Sequence, residues 1–275
     1  MPGQDPLAAP AGLLKLPGLG ETLQLAREAP GRQVAWLVEL YWSVSWEIPP
    51  GQAQTQETLP YPSVHLVVEN GRALVYGVPR ARFVRELTGS GSVLGIKFQP
   101  GGFRPLIDAP VSALRGRVLP AEQVLAADTA SFVMLVQSAE GSAAKAAAAE
   151  AWLAPLLPDP DPLVAEASRA VAAIAENPAL LRVPDLARDL ATSTRSLQRL
   201  FTEYVGVSAK WVVRRFRMHE AAARAASGPV DWTQLALDLG YYDQSHFIRD
   251  FTAAVGMAPS RFAADVSQPK TPDGK

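Results

Sequence analysis

The sequence predicts an α+β multidomain protein with a β-rich, barrel-like N-terminal domain, a helical linker and an all-α C-terminal domain. Three observations support this prediction. Apolar and polar residues alternate within residues 20–119, alanine-rich helical patterns begin at Pro120, and two similar helical segments follow near the C-terminus. With 275 residues, of which 48% are hydrophobic and 19% charged, the chain is long enough for two packed domains.

The N-terminal domain is predicted from short runs that combine alternation with aromatic and β-branched residues. These runs cover residues 36–46, 63–69, 72–78 and 93–98. Asn70-Gly71 lies between the second and third runs, and this dipeptide between two β-rich segments is a strong signal for a hairpin. We therefore expect residues 20–119 to form a compact β-rich sensor domain, most simply a small barrel or a sandwich.

Two helices, at 121–139 and 142–157, are predicted from the alanine-rich composition after Pro120, and they form a linker over residues 120–161. They are a candidate dimer surface, and the alternative is that they pack on the β-rich domain. Prolines near residue 160 cannot continue a helix and indicate a stiff connection. Residues 162–266 are predicted to be helical. We expect residues 1–19 to be a flexible arm and residues 267–275 a disordered tail.

Composition excludes several classes of function. Cysteine is absent, which removes disulfides, thiolate metal sites and cysteine nucleophiles, and the three histidines have no metal-ligand spacing. No phosphate-binding, nucleotide-binding or hydrolase motif is present, so we expect neither a cofactor nor an enzyme. The N-terminal segment lacks the basic start of a signal peptide, and no apolar run is long enough to span a membrane. These features predict a cytoplasmic protein without a membrane partner.

A duplication near the C-terminus is the most informative feature. DLARDLATSTRSLQRLFTEYVG begins at Asp185, and QLALDLGYYDQSHFIRDFTAAVG begins at Gln234. Each copy has the pattern of a short helix, a tight turn and a second helix, with Gly240 of the second turn matching Ala191 of the first. This is the helix-turn-helix pattern, in which the second helix enters the major groove of DNA. The all-α domain is therefore predicted to contain two helix-turn-helix units.

In the first copy, Ser193 is the expected N-cap of the second helix. On a helical wheel one face is apolar and is predicted to be buried; it contains Leu197, Leu200, Phe201, Tyr204 and Val205. The opposite face is polar and contains Arg195, Arg199 and Thr202, with Gln198 on its flank. Arginine and glutamine can form paired hydrogen bonds with guanine and adenine edges, so this face is predicted to contact bases.

The second copy repeats the geometry with Asp243 as the N-cap. Its predicted inward face contains Phe247, Phe251, Ala254 and Val255, and its outward face contains Ser245, Arg249 and Thr252. Arg249 corresponds to Arg199, but Ile248 occupies the place of Gln198. We therefore expect the second unit to present fewer groups suited to reading bases.

The two units also differ in charge. Residues 193–219 contain six basic residues and one acidic residue, a net charge of +5, whereas residues 231–265 contain two basic and five acidic residues, a net charge of −3. Phosphate attraction supplies much of DNA affinity, so we expect the first unit to anchor the protein. Lys210 and Arg214, on the basic helix that joins the units, are predicted to take part in this attraction.

Residues 162–265 resemble the AraC-type family of bacterial transcription regulators. STRSLQRLF and EYVGVS are similar to the first recognition unit of that family, and LGYYDQSHFIRDF and GMAPSRF to its signature second unit. Ala209 departs from the family's usual proline, which the second copy keeps as Pro259. The resemblance implies base contacts from Arg195, Gln198 and Arg199 in the first unit and from Gln244, Ser245 and Arg249 in the second. His246 either approaches DNA or packs within the unit. Double-stranded DNA and RNA polymerase are the implied partners.

The N-terminal domain is similar to an uncharacterised β-rich domain that accompanies such DNA-binding modules in actinobacteria. In related regulators this domain senses a small-molecule effector or holds a homodimer together, and both alternatives stay open here. Candidate pocket residues on the predicted strands are Trp42, Trp46, Tyr61 and His65. A constitutive DNA-binding protein with a structural N-terminal domain, and a DNA-tethered enzyme, are the alternative functions.

A basic cluster in the N-terminal domain precedes the glycine-rich segment at 89–95 and consists of Arg80, Arg82 and Arg85. Such a cluster suggests an anion site or a solvated edge of the sheet. The sequence favours the solvated edge.

Overall fold

The computed structural model describes residues 13–15, 21–177 and 180–267 of the chain. Most of the predicted arm and the tail at 268–275 lie outside these residues. The strands are β1 (Leu13–Lys15), β2 (Leu23–Glu28), β3 (Val38–Glu47), β4 (Gln54–Thr58), β5 (His65–Glu69), β6 (Arg72–Tyr76), β7 (Phe83–Leu87), β8 (Ser90–Phe98) and β9 (Val118–Pro120).

These strands form two antiparallel sheets, one in the order β2-β3-β8-β5-β6-β9 and one in the order β1-β4-β7. The β-rich N-terminal domain is therefore confirmed, although neither sheet closes on itself in the described residues. The predicted runs correspond to β3, β5, β6 and β8, and the Asn70-Gly71 hairpin joins β5 to β6, with positive φ at both turn residues. The sequence patterns missed β1, which lies within the predicted flexible arm, and also β2, β4, β7 and β9. The last three are short and are paired at or near sheet edges.

Two tryptophans of β3 lie across glycines of β8. The register places Trp42 opposite Gly95 and Trp46 opposite Gly91, and a Cβ added at either glycine would collide with the facing indole. The indole N–H of Trp42 donates to Nδ1 of His65 at 3.1 Å, and that of Trp46 donates to a backbone carbonyl at 3.1 Å. The glycines therefore make room for large cross-strand side chains.

The linker helices α1 (Thr129–Ser138) and α2 (Gly141–Leu153) pack against the six-stranded sheet and share its core. Phe132 of α1 stacks on Trp152 of α2, with ring centroids 4.4 Å apart, and both side chains are buried. Of the two alternatives for this segment, packing on the β-rich domain is what the structure shows. The exposed outer face of α1 still contains the apolar residues Met134 and Leu135.

The C-terminal domain consists of helices joined by short turns. They are α3 (Pro162–Glu176), α4 (Val183–Asp189), α5 (Thr194–Leu200), α6 (Ala209–Ser227), α7 (Trp232–Asp238), α8 (Gln244–Val255) and α9 (Pro259–Ser267). After Leu200 the helix that contains α5 continues as one wider π-type turn, Phe201–Val205. No helix in the described part of the chain is long and apolar enough to cross a membrane.

The two helix-turn-helix units, α4–α5 and α7–α8, have separate hydrophobic cores that share α6. The first core contains Leu186, Leu197 and Phe201, and the second contains Phe247 and Phe251. The turn residues Ala191 and Gly240 both have positive φ, of 51° and 72°. This confirms that the two residues have the same role, although only glycine adopts such a backbone without a steric cost.

We predict that Gly95→Ala destabilises the protein by about 1–3 kcal/mol, because the added methyl overpacks the site occupied by the Trp42 indole. The measurement is the free energy of unfolding from denaturant titration. In a Trp42→Ala background the indole is gone, and Gly95→Ala should then cost much less. Equal costs in the two backgrounds would show that the two residues are not coupled.

Candidate nucleic-acid interface

The recognition helix of the first unit starts at a capped turn. The Oγ of Ser193 accepts a hydrogen bond from the backbone N–H of Ser196 at 3.0 Å, as expected for an N-cap. Of the predicted inward face, Leu197, Phe201 and Val205 are buried, and Leu200 and Tyr204 are partly buried. The predicted outward residues are all exposed: Arg195, Gln198, Arg199 and Thr202. The structure therefore gathers these four side chains on one solvent-facing strip.

The second recognition helix, α8, is capped in the same way, with Asp243 accepting from the backbone N–H of His246 at 2.7 Å. Ser245, Arg249 and Thr252 are exposed. The equivalent of Gln198 is Ile248, which packs against the hydrophobic core of this unit. Gln244 is half-buried, and its Oε1 accepts a hydrogen bond from the hydroxyl of Thr233 at 3.3 Å.

Of the two roles that the sequence left open for His246, the structure shows packing within the unit. Its ring packs edge-on against Tyr241 at a centroid distance of 5.1 Å, and its Nε2 lies 4.0 Å from a carboxylate oxygen of Asp250. About half of its side chain is exposed (52%). Approach to DNA stays a prediction for this half-exposed side chain.

Lys210 and Arg214 differ in how accessible their charges are. Lys210 is exposed, and no described residue pairs with it. Arg214 donates through Nη2 to Asp250 of α8 at 2.6 Å, and Asp250 also accepts from the hydroxyl of Tyr241 at 3.0 Å. Burial, and then the nearby Asp250 carboxylate, raise the pKa of Tyr241 well above its ordinary value. Arg214 therefore ties α6 to the second recognition helix as well as adding positive charge.

The charge count from the sequence overstates the positive surface of the first unit. Arg215 is buried, stacks on Trp211 and has its pKa lowered to about 10 by burial and then by Arg214. Arg217 donates to the carbonyl of Leu181 at 3.0 Å. With Arg214 paired as well, the cations of this unit that remain without a described partner are Arg195, Arg199 and Lys210. The two units thus differ less in available charge than the sequence suggested.

Both recognition helices end against the N-terminal domain. Gly206 and Gly256 occupy equivalent positions after α5 and α8, and both have a left-handed backbone with φ near 85°. A Cβ at Gly206 would lie 2.8 Å from Val111, and a Cβ at Gly256 would collide with the guanidinium of Arg82. Only glycine combines this backbone with so close an approach.

In the basic cluster of the N-terminal domain, Arg80 is exposed, as expected of a solvated edge, whereas Arg82 and Arg85 are partly buried and form ion pairs. Arg82 forms an ion pair with Glu57 and donates to the carbonyl of Val255 at 3.3 Å. Arg85 forms an ion pair with the buried Glu69 within the β-rich domain. Sequence reasoning missed these contacts because the arginines and their partners are far apart along the chain.

A second group of contacts joins the N-terminal domain to α6. Leu59 packs into the core of the second unit, and the carbonyl of Pro60 lies 3.4 Å from Nε2 of His219. Tyr61 packs against the rings of Phe216 and His219, with centroid distances of 5.5 and 4.5 Å. The helix-turn-helix units are therefore held to the N-terminal domain along α6 and at the ends of both recognition helices.

The four candidate ligand residues of the N-terminal domain do not form one site. Trp42 and Trp46 cover the glycines of β8, and His65 accepts from Trp42. Burial, and then the positive charge of Lys97, lower the pKa of His65 to about 3. Tyr61 alone of the four lines a described cavity, at the junction with α6. Among the described residues no group of histidine and acidic side chains is arranged to hold a metal ion.

Comparison with known proteins agrees with this geometry. Residues 186–265 match the family described as a helix-turn-helix domain, and residues 26–120 match a domain of unknown function (DUF6597). Over 78 residues the chain is 30% identical to the invasion protein InvF of Salmonella typhi and Salmonella typhimurium. That alignment covers 28% of this chain and 36% of each relative, so the chain spans about a third of the length of these curated relatives.

Solved structures similar to this chain include a transcriptional regulator with an AraC-type DNA-binding domain from Chromobacterium violaceum, with 24% identity and a TM-score of 0.34. The match covers 37% of this chain and 91% of that structure. ToxT from Vibrio cholerae matches at 10% identity and a TM-score of 0.41, covering 90% of this chain and all of that structure.

The two helix-turn-helix units, each with an N-capped recognition helix, and the matched domain family define a helix-turn-helix DNA-binding protein. Within that class, residues 186–265 form an AraC-type helix-turn-helix domain, as the resemblance predicted. The β-rich segment that precedes the helix-turn-helix domain in the chain, residues 26–120, is a domain of uncharacterised type, as predicted.

We predict that Arg199→Ala costs about 1–3 kcal/mol of specific DNA binding and relaxes the preference at one base pair. Arg249→Ala should cost less, because its helix presents Ile248 to the core where the first unit exposes Gln198. Mobility-shift titrations on a binding site selected from random DNA, and on random DNA itself, measure both effects. Equal losses of Arg199→Ala on the two DNAs would refute base reading, and a larger loss for Arg249→Ala would refute the ranking.

The buried histidines predict loss of stability in acid. Burial lowers the pKa of both His65 and His219 to about 3, so below about pH 6.5 the unfolded chain binds protons that the folded chain does not. The free energy of unfolding should fall between pH 6.5 and 3, by up to about 1.4 kcal/mol per pH unit for each histidine. Replacing either with Gln should flatten this dependence, and an unchanged pH dependence in both variants would contradict the prediction.

Proposed function

We propose that this protein is a sequence-specific DNA-binding transcription regulator whose two helix-turn-helix units are held in a fixed relation by the N-terminal domain. Double-stranded DNA is its target, and RNA polymerase is the partner expected of a transcription regulator. One observation carries the proposal. Two capped recognition helices present polar faces to solvent, while the glycines at their other ends, Gly206 and Gly256, rest on the same N-terminal domain.

The shared helix supports the use of both units on one DNA duplex. Helix α6 has 19 residues and is therefore about 28 Å long. Successive major grooves on one face of DNA are roughly 34 Å apart. A helix of this length, with one unit packed toward each end, suits the placement of two recognition helices in neighbouring grooves.

Control is proposed to act through the contacts between the domains. An effector bound to the N-terminal domain, or a homodimer formed through it, would change the arrangement of the segments around Tyr61 and Arg82. Those segments contact α6 and the end of α8, so a change there alters the relation between the recognition helices. A constitutive DNA-binding protein would keep the same contacts without such a change. We assign no catalytic role.

Selection of binding sites from random DNA tests the proposal most directly. We expect one site containing two half-contacts about one helical turn apart, with the stronger base preference in the half read by the first unit. An inverted repeat of that whole site would indicate a dimer. Recovery of random sequences, with affinity that depends only on salt, would contradict sequence-specific binding.

We predict that Arg82→Ala relaxes the spacing between the two half-contacts, because it removes the bond from the N-terminal domain to the end of α8. Sites selected with this variant should show more than one spacing. Arg85→Ala is the matched control, since it also breaks an arginine–glutamate pair of the same domain but touches no recognition helix. Identical spacing in all three proteins would contradict a positioning role for Arg82.

A further inference from the structure

The turn of the second helix-turn-helix unit is one residue longer than the turn of the first. In both turns a backbone N–H, of Thr192 in the first and of Tyr241 in the second, donates to the carbonyl five residues earlier, at 2.8 and 2.9 Å. In the first unit the next residue is Ser193, the N-cap of α5. In the second unit Tyr242 comes between this turn and the N-cap, Asp243. Tyr242 is therefore an inserted residue without a counterpart in the first unit.

Tyr242 takes no part in the packing of its unit. The residue before an N-cap often packs against the fourth residue of the helix, which in α8 is Phe247. That place is already filled, because the ring centroid of Tyr241 lies 5.5 Å from that of Phe247, and Trp232 stacks on the same ring at 6.3 Å. Tyr242 is 92% exposed, and no described residue forms a hydrogen bond or a ring contact with its side chain. Folding of the unit therefore does not use this side chain.

The insertion lies at the end of α8 that faces DNA in the helix-turn-helix arrangement. The N-terminal residues of a recognition helix contact base edges in the major groove. A side chain placed just before those residues lies toward the edge of the groove, where the sugar–phosphate backbone runs. Tyrosine is among the side chains that form hydrogen bonds with phosphate oxygens.

The charge of the second unit favours an uncharged contact with phosphate. Residues 231–265 carry a net charge of −3, and carboxylates accept hydrogen bonds at the starts of both helices, Asp231 at α7 and Asp243 at α8. These carboxylates repel phosphates and offset the attraction of the few cations nearby. A tyrosine hydroxyl is an uncharged donor, so it can bind a phosphate oxygen without a cation.

We propose that Tyr242 is a DNA-contacting residue of the second unit, whose hydroxyl donates to a backbone phosphate while its ring packs on the adjoining deoxyribose. This inference rests on the proposed DNA-binding function. A phosphate contact carries no sequence information, so its loss weakens binding to the selected site and to single-base variants of that site by the same factor. Because the contact releases no counterion, its loss leaves the dependence of affinity on salt unchanged.

Mobility-shift titrations of the full chain on a site selected from random DNA test the contact. Tyr242→Phe keeps the ring and removes only the hydroxyl, and we expect it to weaken binding by about three- to tenfold. Tyr242→Ala should weaken binding at least as much. In both variants the slope of log affinity against log salt and the thermal midpoint of unfolding should match those of the unmodified protein. Met134→Ala, at an exposed position of the N-terminal domain, is the control and should bind normally.

DNA with single phosphates replaced by uncharged methylphosphonates locates the contact. At a position in the half-contact of the second unit, the replacement should weaken the unmodified protein but have little effect on Tyr242→Phe, which has already lost the bond. Such coupling would show that the hydroxyl and that phosphate interact directly.

Three results would overturn the proposal. They are normal DNA affinity of Tyr242→Phe, a reduced salt slope in that variant, and the absence of coupling at every phosphate. Arg199→Ala separates this inference from the function on which it rests. If Arg199→Ala weakens binding and Tyr242→Phe does not, the inference alone fails, whereas normal binding by both variants contradicts the proposed function as well.

Discussion

The burial of helix α6 is the constraint on which the arrangement of this protein depends. Its first half completes the core of one helix-turn-helix unit, its second half completes the core of the other, and a third side packs against the N-terminal domain. A helix that packs against three partners is fixed in position, so a shift of one partner displaces the others. Arg215 and His219 show the result, because both are polar residues buried on the side that faces the N-terminal domain.

This constraint changes the meaning of the basic residues on α6. In a solvated helix, Arg214, Arg215 and Arg217 would all be available to phosphates. Here one pairs with Asp250, one is buried beside Trp211, and one donates to the carbonyl of Leu181. The inequality of the two units therefore depends less on net charge than on the exposed strip of Arg195, Gln198 and Arg199, which Ile248 interrupts in the second copy.

Local patterns predicted the C-terminal domain well, because caps, turns and the helical period are set by neighbouring residues. The N-caps at Ser193 and Asp243 and the matched turns were all foreseen. Strand β4, by contrast, reads QTQET and has no apolar alternation, so its place in a sheet depends on pairing with β7. The docking of Arg82 on α8 joins residues 173 positions apart, and no local signal indicates it. Whether the candidate pocket residues lie together also depends on contacts between distant parts of the chain, so the sequence could name these residues but could not show that they do not form one site.

The duplication gives the N-terminal domain the same docking position at the end of each recognition helix. Because the two units are copies, each ends its recognition helix with a left-handed glycine, Gly206 in the first and Gly256 in the second. The N-terminal domain uses that common feature twice, with the apolar side chain of Val111 at Gly206 and the charged side chain of Arg82 at Gly256. Each junction also includes a charged contact. Arg104 of the N-terminal domain donates to Glu203, just before Gly206, at 2.8 Å, and Arg82 donates to the carbonyl of Val255, just before Gly256, at 3.3 Å. An arginine at a helix C-terminus also interacts favourably with the helix dipole. A shift of the N-terminal domain therefore disturbs an electrostatic interaction as well as packing at the ends of both recognition helices.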